Sequence, residues 1–416
     1  MHAAGDGTTL GEQPALDGIR ALSVIAVLCY HAGFGWSHGG FLGVEVFFVV
    51  SGFLITTLLV EDRDRRGSVS LRRFWVRRAR RLLPALFAML VAVTIVVLWR
   101  GDAAQQSQLR RDLPWGVGYV ANWGQILSDA PYFAPAPSAL RHLWSLAVEE
   151  QWYLLWPLVF IALGRRSESD RRRGIGIAIV ATAIAVGTAV AATVEWPQRW
   201  FDPWRGEMSD VDTFNFLYLS TFTRSAGLLL GAALAFLWRP WARVAESALR
   251  SANRRLDAVG VVALLGLIGA FVVGEVEDVA TYQWLLPLTG IASLVVIGVA
   301  VHPQATIVRQ LLGQRWVVAV GRRSYGLYLW SWPISLAVGA NRGSWSRFAI
   351  AMAITAPVSE ACYRWIERPI RVGAATRWWT ALPAATKPRV GFGAAVVLVT
   401  VSAFGVIRLA DRKSVV

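Results

Sequence analysis

Apolar runs long enough to cross a bilayer recur along this 416-residue chain, separated by short polar and basic loops. At about 20 residues per crossing, the pattern predicts spans near 16–34, 41–60, 82–99, 143–163, 174–194, 214–237, 257–273, 281–301, 321–340, 347–366 and 390–410. The fold class is therefore an all-α polytopic membrane protein: a core of about ten helices (residues 1–370), a basic linker (371–389) and one extra C-terminal transmembrane helix with a short tail (390–416). The stretch 113–127, LPWGVGYVANWGQIL, is apolar but too short for a crossing, so it reads as interfacial or re-entrant. The Pro-rich run after it, APYFAPAPSALRH, reads as an ordered outer loop.

Charge sets the expected orientation. Segments 61–83, 164–173, 238–256, 302–323 and 364–389 hold 29 of the 42 Lys and Arg residues, and the alternate loops hold 10. By the positive-inside rule the first set is cytoplasmic, which puts the N-terminus inside and the C-terminus outside. The net charge of +15 is then a matter of topology and lipid headgroups, and no nucleic-acid partner is expected. The first 15 residues lack Lys and Arg, so no cleavable signal peptide is evident. Arg outnumbers Lys 40 to 2, which suggests a GC-rich bacterial genome, and the expected location is a bacterial inner (plasma) membrane. The last span is clean and apolar like a tether, leading either to a natural stop after DRKSVV or to an extracytoplasmic domain beyond it.

Against this apolar background a few polar residues stand out. Arg20 and His31, eleven residues apart, fall within about 20° of one helical face and roughly 16 Å apart along the axis. Such a stripe turns toward a protein interior or a wet cavity. Glu45 enters the second span beside Gly39, Gly40 and Gly43. Arg77, Arg78 and Arg81 lie in the basic run LRRFWVRRARRLLP, spaced for one side of a helix approaching the membrane. His142 and Glu149, seven apart, share a face of the fourth span, with Glu150 turned 100° away as an anchor. Cys29 and Cys362 both fall inside spans, forming neither a disulfide framework nor a metal site. Cys29 faces away from His31, which argues against a thioester intermediate. The 21 Trp residues are mostly interfacial, with Trp123 among the few placed to stack on sugars.

These segments resemble the acyltransferase-3 family of integral membrane acyltransferases, which acylate cell-surface glycans. The resemblance runs over about residues 14–370. It covers the arginine–histidine pair in LDGIRALSVIAVLCYH, GGFLGVEVFFVVSGFLIT, WSLAVEEQWYLLWP, SYGLYLWSWP and YRWIERPIR, in family order. Two positions depart: Glu45 where the family commonly has Asp, and Ser331 where it often has His.

The resemblance implies a membrane O-acyltransferase that moves an acyl group from cytoplasmic acyl-CoA, with acetyl-CoA the leading donor, to a hydroxyl of an extracytoplasmic or lipid-linked glycan. No permanently bound cofactor and no metal is expected. Neutral imidazole suits proton abstraction at physiological pH, so His31 is the expected base or acyl carrier, with Glu149 as its catalytic companion. Arg20, Arg77, Arg78 and Arg81 are expected to hold the donor phosphates, while Glu45 and His142 orient His31 or bind acceptor. The pantetheine arm is roughly as long as the Arg20–His31 separation. The competing class is a multi-span transporter or flippase. The absence of any internal repeat and of paired broken helices counts against it. A bare membrane anchor is disfavoured by the presence of both His31 and Glu149.

Overall fold

The computed structural model describes residues 10–127, 137–164, 169–194, 198–202, 207–240 and 253–373. The chain opens with α1 (Pro14–His31), α2 (Gly43–Arg66), α3 (Leu71–Arg100), α4 (Ala103–Val117), α5 (Ala121–Leu127), α6 (Leu143–Gly164) and α7 (Asp170–Ala191). A hairpin of β1 (Gln198–Asp202) and β2 (Glu207–Val211) pairs antiparallel within the 195–213 connection, an element the hydropathy pattern does not announce. Then come α8 (Thr213–Leu219), α9 (Thr221–Leu237), α10 (Arg254–Val273), α11 (Leu286–Ala300), α12 (Ile307–Leu312), α13 (Arg315–Arg322), α14 (Ser324–Val338), α15 (Trp345–Cys362) and α16 (Arg368–Arg371). The predicted span 390–410, the linker from 374 and the Pro-rich run 128–136 lie outside the described residues.

Seven helical stretches among the described residues are long and apolar enough to cross a membrane. The other expected crossings within this range are α1, α14 and α15, helices of 18, 15 and 18 residues. Being short and partly polar, they depend on protein neighbours as well as lipid. The span expected at 214–237 is two helices, because Ser220 is extended (φ −66°, ψ 133°) and its hydroxyl accepts the Phe222 N–H, capping α9 afresh. The stretch 113–127 is split between the end of α4 and the seven-residue α5, joined at Tyr119 with φ 54°. Neither piece is long enough to cross. A buried amide network holds this turn. The Asn122 amide donates to the Thr221 hydroxyl at 2.9 Å, the Gln151 amide donates to the Asn122 oxygen at 3.0 Å, and the Thr221 hydroxyl donates back to Gln151.

The interior is built around α1, α2 and α9. Gly52 on α2 and Gly231 on α9 let the two backbones touch: a Cβ at either would lie 1.9 or 2.0 Å from the carbonyl oxygen of Leu228 or Val49. The outward surface is the opposite of a soluble protein's. Leu154, Leu155, Leu158 and Val159 on α6 and Val259, Val262 and Leu265 on α10 are all exposed. In a bilayer these faces meet acyl chains instead of water.

Candidate active site

Helix α1 turns both of its distinctive side chains inward. The Arg20 side chain is 16% exposed and leans 3.6 Å from Asp17, one turn earlier. His31, at the opposite end of the same stripe, is 7% exposed. At 1.5 Å per residue they are about 16 Å apart along the axis.

Around Arg20 lies a cavity of about 660 Å³, walled by α1, α2, α3, α6 and α14. Its polar lining includes Arg20, Ser51, Arg78, Arg81, Ser145, Glu149, Tyr153 and Tyr328. Glu149 is the hydrogen-bond centre: its Oε1 accepts from both the Ser51 and the Tyr153 hydroxyls. Tyr153 follows Glu149 by one turn of α6, while Ser51 comes from α2, so the carboxylate orientation is set by two helices. The Arg78 guanidinium lies 4.8 Å from the Tyr153 ring centroid, a cation–π contact that holds positive charge beside this group.

Beside the cavity lies a second cleft of about 500 Å³, with Leu58, Glu61, Arg78, Arg81 and Arg371 lining both. This mouth gathers Arg65, Arg66, Arg77, Arg78, Arg80, Arg81 and Arg371 against only Glu61 and Asp62. Low-dielectric walls beneath such a ring of guanidinium groups focus its field, so an anion is drawn to the mouth. The spacing of Arg77, Arg78 and Arg81 anticipates the cleft only in part: Arg78 and Arg81 line both spaces, whereas Arg77 lines the outer one alone and is exposed.

His31 does not line this cavity. Its ring packs at 4.6 Å on Trp332 and 6.3 Å on Tyr328, in a chamber one aromatic layer beyond the cavity's inner end. His142 enters the same chamber from the other side, its ring 5.6 Å from Tyr328 and its Nε2 3.0 Å from the Leu329 carbonyl oxygen. Both imidazole Nδ1 atoms are buried with no hydrogen-bond partner among the described residues. Tyr328 forms the partition. Its hydroxyl donates to the His142 carbonyl at 2.8 Å and lies 2.6 Å from the Ser145 hydroxyl. Helix α14 is further pinned by Trp332, whose indole N–H donates to the Ser138 carbonyl at 2.9 Å.

Glu45 corrects the expectation drawn from its position in the second span. Instead of reaching His31, its carboxylate lies 2.9 Å from the Arg224 guanidinium of α9, both side chains fully enclosed. The rings of Phe48, Trp144 and Tyr218 surround Arg224 at 5.6–5.9 Å. Gly227, one turn on from Arg224, makes the room, since a Cβ there would sit 2.1 Å from Glu45 Oε1. Trp123, a sugar-stacking candidate by sequence, instead packs edge-on against Phe222 at 5.6 Å. Ser331 is buried, its hydroxyl donating to the Tyr328 carbonyl, and so braces α14 without facing the cavity.

The structure thus brings His31 together with His142, and Arg20 together with Arg78, Arg81 and Glu149, and pairs Glu45 with Arg224, next to Trp144 and Tyr218, rather than with His31. Sequence reasoning missed Ser51, Tyr153, Ser145, Tyr328 and Arg224. Tyr153 carried a signal, four residues after Glu149, and Arg224 was a charge inside an apolar run.

Comparison with known proteins supplies independent grounds for the family. An acyltransferase-domain family model matches residues 13–364. O-acetyltransferase OatA of Staphylococcus aureus is 35% identical over 364 residues, covering 86% of this chain and 57% of the relative. Peptidoglycan O-acetyltransferase OatA of Listeria monocytogenes is 34% identical over 374 residues, covering 86% of this chain and 56% of the relative. The chain therefore spans little more than half the length of these curated relatives. No solved structure matches it. The family match takes in α1 through α15 and with them both the cavity and the histidine chamber, and the chain belongs to the acyltransferase-3 family of membrane proteins.

Proposed function

We propose that this chain is a membrane O-acetyltransferase that takes an acetyl group from acetyl-CoA at its basic end and delivers it to a hydroxyl of a cell-wall glycan at the other. The observation that carries the reading is the alignment of the arginine-lined cleft with the adjoining cavity, which shares Arg78, Arg81 and Arg371 with it and is lined by Arg20, Glu149 and the Tyr328 that packs beside His31 and His142. A nucleotide with several phosphates matches the mouth, and a narrow thioester arm matches the inner cavity. The names of the relatives, one of them a peptidoglycan O-acetyltransferase, support the acetyl group and the glycan. By the positive-inside rule the basic end is cytoplasmic, where the donor resides.

Arg78, Arg81 and Arg20 bind the donor in this reading, with Arg77 adding charge at the mouth, and Glu149 fixes the cavity floor through Ser51 and Tyr153. His31 acts either as base or as acyl carrier. As base, its neutral imidazole takes the proton of the acceptor hydroxyl while that oxygen attacks the thioester carbonyl. The C–O bond forms, the C–S bond breaks, and the proton passes to the departing thiolate. As carrier, an imidazole nitrogen attacks first, releases the thiol, and the acyl-imidazole is then taken by the acceptor oxygen. Either route requires Tyr328 to swing aside. His142 orients the acceptor from across the chamber, and Glu45 holds α2 to α9 beside it.

The test is purified protein reconstituted in sealed proteoliposomes, given acetyl-labelled acetyl-CoA and an amino-sugar oligosaccharide. Alkali-labile label on the sugar together with stoichiometric release of free CoA is expected. Sugar crossing the membrane unmodified, with no CoA released, would contradict the proposal in favour of transport.

A further inference from the structure

Beginning three residues beyond His31, at the end away from the basic cleft, the chain forms an aromatic surface on a small buried base of its own. Phe34 is buried, and Trp36 and Trp345 lie nearly parallel to it, at 5.8 Å and 13° and at 4.0 Å and 27°. The two indoles are themselves within 14° of parallel at 6.2 Å, and are 49% and 62% exposed. The platform is preformed. Gly33 and Gly343, at φ +71° and +73°, face each other across the two loops, and the Gly343 N–H donates to the Ala32 carbonyl at 2.7 Å. Only residues free to adopt the left-handed region allow this close approach. Phe348 buttresses Phe34 edge-on at 5.3 Å.

We propose that Trp36 and Trp345 form the docking platform for the acceptor glycan, stacking the C–H faces of successive pyranose rings. The inference rests on the glycan acceptor proposed above and adds where that acceptor binds. Three features favour a sugar. The flat, paired, parallel indoles suit the apolar face of a pyranose. Asn341, Arg342, Ser344 and Ser346, in and beside the second loop, supply the amide, guanidinium and hydroxyl groups that sugar hydroxyls and N-acetyl groups need at the rim. Position is the third: the five residues of chain from His31 to Trp36 span at most ~18 Å, so a sugar stacked on Trp36 lies within a few units of His31.

The experiment uses chitopentaose as probe, with the whole protein in nanodiscs and calorimetry for affinity. Trp36→Ala with Trp345→Ala is expected to weaken chitopentaose binding about tenfold or more, and to raise KM for its acetylation with kcat nearly unchanged. Acetyl-CoA affinity at the opposite end should stay at the wild-type value, which also reports correct folding. Trp36→Phe with Trp345→Phe keeps the flat rings and should recover most of the affinity. Wild-type chitopentaose affinity in the alanine pair, or no chitopentaose binding by the wild type, overturns the proposal; in the first case, lost membrane partitioning would mark the two indoles as lipid anchors. Chitopentaose bound through these indoles without acetylation would instead leave the platform standing and remove the acetyltransferase reading.

Discussion

The Arg20 end and the His31 end of α1 belong to one helix of 18 residues, yet their surroundings differ in almost every respect. Arg20 borders an open, arginine-rich cavity whose polar groups are tied together through Glu149. His31 sits among aromatic rings with a nitrogen that has no hydrogen-bond partner among the described residues, and the neighbouring Glu45–Arg224 pair is buried. Under the proposed function the contrast separates two tasks. A wide charged mouth recruits a long anion and tolerates solvent, and charge there is screened and replaceable. Burial among aromatic rings would keep water from a reactive carbonyl and makes each polar group there count heavily.

If that division is right, substitutions in the chamber side should cost folding or chemistry, whereas substitutions at the mouth should cost affinity. The largest expected effect is Arg224→Ala. It leaves the Glu45 carboxylate buried without its counter-charge, and breaking such a pair costs about 3–5 kcal/mol. Thermal unfolding in detergent should show it, and Glu45→Leu combined with Arg224→Met should restore much of the loss. A single substitution costing under about 1 kcal/mol would mean that water already reaches the pair. At the mouth, Arg78→Ala with Arg81→Ala removes two charge-assisted contacts worth about 1.5–3 kcal/mol each. Acetyl-CoA affinity should fall at least tenfold, while melting temperature changes little. The wild-type affinity should also weaken with added salt. Unchanged donor affinity would reduce these arginines to a topology signal.

Much of the helical scaffold was legible from hydropathy alone: α6 begins at the predicted Leu143 and ends within one residue of the predicted boundary. The Arg20–His31 stripe was legible too, because helical spacing is a local property. What was not legible depends on contacts between distant segments. Ser51 reaches Glu149 across 98 residues of sequence, and no local pattern marks which of several serines in apolar runs does so. Glu45 illustrates the opposite error. Sequence closeness to His31 suggested a partner, but α2 turns the carboxylate toward α9, where Gly227 has cleared the space. The seating of His31 behind Tyr328 was likewise invisible, since the partition is made by α14, far along the chain.

If donor capture and acyl transfer occupy opposite ends of α1, His31→Gln must separate the two properties. The glutamine keeps a polar, hydrogen-bonding side chain but can neither take the acceptor proton usefully nor carry an acyl group. Acetyl-CoA affinity is expected to stay within about twofold of wild type, with acetyl transfer to glycan reduced by ~10²-fold or more. Near-normal turnover in His31→Gln would make the imidazole structural, and loss of donor affinity in step with turnover would erase the separation between the two ends.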